Sequence, residues 1–106
     1  MFWNLENVAS MKYAFASCTG LTELDMTGLD PSGLTDVAYA FSGCANMRTI
    51  TVDSSWVLPA GVSGAQTFYG CTSLVGGNGT AYDASRTGCQ YMRIDAQGAP
   101  GYLTGE

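Results

Sequence analysis

The chain has 106 residues, 46% of them hydrophobic and only 12% charged, with a formal net charge of −5 and no histidine, which fits one domain with a modest core. Its basic residues, Lys12, Arg48, Arg86 and Arg93, do not cluster, so the patch needed for nucleic acid or an anionic membrane surface is missing, and no run of about 18 apolar residues supports membrane insertion. Lack of histidine removes the usual general base, the usual zinc ligand and the standard nucleophile triads.

The first segment, MFWNLENV, is too short and lacks the basic start of a signal peptide. The expected setting is therefore either the cytosol or a piece of a longer exported protein, and the repeats favour the second. Phe2, Trp3 and Leu5 are expected to fold over the first repeat or to pack on a second molecule, which makes the N-terminal edge a self-association surface.

From here the chain repeats itself. AFASC at 14–18 returns as AFSGC at 40–44 and, more loosely, as TFYGC at 67–71. Aligned on Phe15, Phe41 and Phe68, the copies place Cys18, Cys44 and Cys71 together, then Leu21, Met47 and Leu74. Before each cysteine the apolar spacing is three or four: Val8, Met11, Phe15, Cys18, and again Leu34, Val37, Phe41, Cys44. That spacing predicts a short helix, started by Asn7 or Ser10, by Thr35 and by Ser63. After it, Leu24-x-Met26 and Ile50-x-Val52 alternate as in a strand with one buried face. The third copy is degenerate, and Gly76, Gly77 and Gly79 stand where its later apolar residues would fall. Thr80–Tyr82 and Tyr91–Ile94 then read as two strands of a hairpin.

The predicted fold class is an α/β solenoid of about three coils, each a short helix plus a short parallel strand, with a C-terminal β-hairpin cap. Repeat 1 covers about 5–30, repeat 2 about 31–57, a partial repeat 3 about 58–79, and the cap about 80–106. A unit of this size cannot bury its apolar face alone, whereas stacked copies can. The repeated phenylalanine, cysteine and leucine or methionine positions are the expected core ladder.

The pattern F-x-x-C-x-x-L-x-x-[LI]-x-[LVM] resembles the BspA-like leucine-rich-repeat family of bacterial surface proteins, in which NVxxMxxAFxxCxxLxxLxL recurs. Residues 7–18 match that phrase nearly letter for letter, Leu34 to Val52 is a second good match, and Val62 to Leu74 is partial. The resemblance implies a right-handed leucine-rich-repeat stack on an exported protein, at the cell surface or secreted, used in attachment. It does not imply an enzyme; the expected partners are a host protein or glycan and the upstream repeats of the parent chain, and no cofactor is expected.

If Leu24, Met26, Ile50 and Val52 point inward, then Glu23, Asp25, Thr27, Thr49, Thr51 and Asp53 point outward. They form an acidic, hydroxyl-rich face suited to a basic peptide, a sugar or a weak calcium ion, although such residues also simply keep a sheet wet. Glu23 and Asp25 share a face, but nothing nearby would raise one carboxyl for acid–base work. Trp56, in the loop SSWVLP, is the candidate loop contact, with packing under the loop as the more ordinary role. Three cysteines in one slot predict buried thiols. Cys89 is either a surface thiol or a partner for Cys71. No C-x-x-C spacing supports a metal. The competing reading of the whole is a structural cap or spacer whose ligand site lies elsewhere.

Overall fold

The structure, a computed structural model, describes residues 10–105. The expectations for Phe2, Trp3, Leu5, Asn7 and Val8 lie outside these residues.

The segments expected to be helical are strings of turns. The N–H groups of Ala14, Ala16 and Cys18 donate three residues back, to Met11, Tyr13 and Phe15. The N–H groups between them reach into the next layer instead: Met11 to Asp36 (2.8 Å), Tyr13 to Ala38 (3.1 Å), Phe15 to Ala40 (2.8 Å) and Ser17 to Ser42 (2.7 Å). Val37, Tyr39, Phe41 and Gly43 repeat this pattern onto Ser63, Ala65, Thr67 and Tyr69. An α-helix turns all its interior N–H groups inward along its own axis, so this interlayer ladder and a helix exclude one another. Positive φ at Tyr13 (60°), Ser17 (61°), Tyr39 (58°), Gly43 (81°), Gln66 (57°) and Gly70 (77°) breaks any right-handed helix at the same two points of every layer.

The expected α/β solenoid of helix–strand coils is therefore overturned. Among the described residues there is no α-helix, only two short 3-10 turns, Pro31–Gly33 and Cys89–Tyr91, and a three-stranded parallel sheet. The domain measures 30 × 29 × 28 Å, nearly as broad in every direction. The expected helix starts at Ser10 and Ser63 instead form parallel bridges with Asp36.

The sheet consists of β1 (Glu23–Asp25), β2 (Thr49–Val52) and β3 (Leu103–Gly105), in that order. Leu24 pairs with Ile50 and Ile50 with Leu103, so one apolar row faces the core. The third strand does not come from the third repeat. Val75 N–H donates to Arg48 (3.0 Å), but the chain then turns, Gly76 donating to Thr80 (2.8 Å). Three glycines offer no side chain for the vacant inward slot, and Leu103 of the tail fills it. The expected β-hairpin cap is likewise corrected: Ala81 bridges back to Val75, and Ile94 bridges in parallel to Leu103.

Equivalent side chains do lie above one another. Phe15 stacks on Phe41 with ring centroids 5.6 Å apart and Phe41 on Phe68 at 5.5 Å, their planes within 8° of parallel. Tyr102 ends the column edge-on to Phe68 at 5.1 Å. Cys44 Sγ donates to the Phe15 carbonyl (2.9 Å) and Cys71 Sγ to that of Phe41 (3.0 Å), so each thiol ties its layer to the one before. Phe41, Phe68, Cys44, Cys71, Met47 and Leu74 are buried, whereas Phe15, Cys18 and Leu21 of the first described layer are half-buried.

Candidate functional site

Alternation along the strands decides which side chains reach solvent. With Leu24, Ile50 and Leu103 facing the core, Glu23 stands beside Thr49, and Asp25 beside Thr51, which pairs in turn with Thr104. Glu23 and Asp25 are exposed; Thr49, Thr51 and Thr104 are half-buried. Thr22, Glu23, Arg48 and Thr49 enclose a shallow depression of about 390 Å³. The structure thus brings four of the six candidates into two adjacent rows. It adds Arg48 and Thr104, which sequence reasoning missed. The alternation of Tyr102-Leu103-Thr104 carries a strand signal, but nothing local says which sheet it joins.

Of the remaining two, Thr27 is held in a turn by Asp25 and Asp53 reaches the neighbouring layer. Asp25 Oδ1 accepts from both the N–H (2.9 Å) and the hydroxyl (2.7 Å) of Thr27. The Thr27 hydroxyl, then its N–H, hold the Asp25 carboxyl below the usual carboxylate range. Asp53 Oδ2 accepts from Gly28 N–H (2.8 Å), pinning one return segment to the next. Asp30 serves Ser32 and Asp83 serves Ser85 in the same way as Asp25 serves Thr27. Much of the acidity read from composition is turn chemistry. Among the described residues no three acidic, cysteine or histidine side chains are grouped so as to hold a metal ion.

Trp56 is buried, only 4% exposed, and its indole N–H donates to the Met92 carbonyl at 3.2 Å. The loop contact expected there is corrected: the ring packs beneath its loop, and Val57, 75% exposed, is the residue that projects.

All four cysteines are free thiols, so Cys89 is not paired with Cys71. Burial pushes the Cys71 thiol up to about 12, with the neighbouring Cys44 adding to the effect. Burial also raises Cys44 and Cys89. These three are neutral near pH 7 and are weak nucleophiles in that form. Cys89 fits because Gly64 lies against it: a Cβ on Gly64 would collide with that of Cys89.

A buried carboxylate that the sequence did not single out organises the tail. Asp95, 7% exposed, accepts from Asn78 N–H (2.9 Å), Thr80 N–H (3.0 Å), the Thr80 hydroxyl (2.7 Å) and Gly101 N–H (3.2 Å). Burial alone would raise its pKa, but the Thr80, Gly101 and Asn78 donors outweigh it and hold the carboxyl below its ordinary value.

Comparison of the chain with protein-family models, curated proteins and solved structures finds no match.

Proposed function

We propose that this chain is a non-enzymatic binding module of a bacterial cell-surface or secreted protein, acting in adhesion by holding a host protein or glycan. The setting comes from the sequence's resemblance to BspA-like surface proteins. The observation that carries the reading is the outward sheet face, with Glu23 and Thr49 in one row and Asp25, Thr51 and Thr104 in the next. Parallel rows of hydroxyls and a carboxylate beside the Arg48 depression supply donors and acceptors at strand spacing, about 4.8 Å, suited to sugar hydroxyls or peptide groups.

A glycan and extracellular-matrix array tests this directly. Any ligand found is retested against a triple variant, Glu23→Ala, Thr49→Ala and Thr51→Ala; Asp25 is spared because its carboxylate closes a turn. Binding is expected to weaken by at least about tenfold, or roughly 1.4 kcal/mol. Unchanged binding would take the site off this face.

The second reading, a structural cap or spacer beside upstream repeats of a parent chain, draws on the tail's packing, because Tyr102 closes the phenylalanine column over Phe68. On that reading the isolated chain binds nothing on the array while a longer parent does.

A further inference from the structure

Asp36 and Ser63 pair in parallel register, so the return segment before Asp36 and the one before Ser63 are equivalent. In the first, Leu29 and Leu34 are both buried and fill the space between sheet and turns. In the second, Trp56 occupies the place of Leu29, but Gly61 falls at that of Leu34. A Cβ at Gly61 would meet no atom within 4 Å. A cleft of about 470 Å³ lies between the 56–62 loop and the 89–94 segment of the tail. Its volume lies in the range of small-molecule sites, about 300–1,000 Å³.

Trp56, Leu58, Val62, Met92 and Ile94 make the lining mainly apolar, and Arg93 is the only charged residue in it. The guanidinium is anchored: Nε donates to the Pro100 carbonyl at 2.9 Å, and the group lies 5.9 Å from the Tyr91 ring centre. Among the described residues no carboxylate pairs with it, the one ion pair being Arg86–Asp83 at 3.9 Å. An anchored cation at the edge of an apolar cleft, in a chain of net charge −5, complements a ligand with an apolar body and a single negative end.

We propose that this cleft binds small amphipathic carboxylates, the hydrocarbon lying against Leu58, Val62 and Ile94 and the carboxylate reaching Arg93. The site shares no residue with the outward sheet face, so it stands or falls independently of the proposed function.

The test uses sodium octanoate as probe, with 1-octanol and octylamine as neutral and cationic controls, on the full chain. Titration followed by NMR is expected to give saturable shifts confined to the Trp56 indole N–H and the Val57, Val62 and Ile94 methyls, with the controls at least about tenfold weaker. Arg93→Gln should erase the preference for the acid, and Arg93→Lys should keep part of it. In mass-spectrometric alkylation mapping, octanoate should slow modification of Cys89, which lines the cleft, and leave Cys18 unchanged. Absence of saturable octanoate binding, shifts outside the cleft, or equal affinity for octanol on the native chain would each overturn the proposal, whatever the stability of the Arg93 variants.

Discussion

Asp95 is a single buried carboxylate that receives three backbone N–H groups and one hydroxyl from Asn78, Thr80 and Gly101. An asparagine there offers only one accepting oxygen, and its NH2 would face donors. Hydrogen bonds to a charged group contribute about 1.5–3 kcal/mol each, and those donors lose their acceptor in a partly buried place, so Asp95→Asn is expected to cost about 2–3 kcal/mol in urea denaturation. The pH dependence has a definite sign. Because the folded carboxyl titrates below its ordinary value, its stabilisation is complete above the unfolded pKa of about 3.9 and is lost as pH falls through the lower folded value. Wild type should therefore lose stability steeply with acidification below about pH 4, and the asparagine variant less so. Equal acid slopes for the two proteins would remove Asp95 from this role.

Among the elements, the turn strings and the third strand separate what was legible from what was not. The strands Glu23–Asp25 and Thr49–Val52 were readable because alternation has one structural meaning, and with them came the outward positions of Glu23, Asp25, Thr49 and Thr51. The phenylalanine and cysteine columns were readable because identical slots demand identical side chains. The helices were misread because a spacing of three and four also fits successive turns that bury every other corner. The discriminating quantity is the sign of φ, and Tyr13, Ser17, Tyr39 and Gln66 adopt positive φ without a residue type that announces it. Only Gly43 and Gly70 hinted at it. Of the glycines after Leu74, Gly79 adopts a positive φ of 91° with open space around it, whereas Gly76 serves close approach. A Cβ on Gly76 would collide with the Gly101 carbonyl oxygen and come within 2.7 Å of Asp95 Oδ2. Both are held in place by the network around Asp95, so Gly76→Ala is expected to cost about 1–3 kcal/mol by overpacking. Gly20, with nothing within 4 Å of its would-be Cβ and no positive φ, is the control. Gly20→Ala should be neutral or stabilising by up to about 1 kcal/mol. Chemical denaturation of the two variants side by side checks the contrast, and equal costs would mean that the close approach at Gly76 is not limiting.

At the scale of the molecule, the tail is part of the body rather than a lid laid over it. Leu103 sits beside Ile50 in the sheet, donates to Arg93 and accepts from Asp95. Next to it Tyr102 closes the aromatic column and its hydroxyl donates to the Arg86 carbonyl at 2.7 Å. Met92, from the same tail, accepts the Trp56 indole N–H. A hairpin cap of the kind expected from the sequence would fold and fray by itself, because it would contact only the last repeat. The observed tail supplies one of three strands, the end of the column and the partner of the buried tryptophan, so it cannot open without exposing the core. Leu103→Ala, which empties a fully buried site, is expected to cost about 2–5 kcal/mol, a large share of the roughly 5–15 kcal/mol typical of a domain. The manner of loss is the sharper test. In a Trp3→Phe background, Trp56 fluorescence reports the tail and return loop, while far-UV circular dichroism reports the sheet and turns. Integrated packing requires the two transitions to coincide in both the parent and the Leu103→Ala variant. An early fluorescence transition that left the circular dichroism signal standing would show the tail to be a separate unit, and the shared core argued here would fail with it.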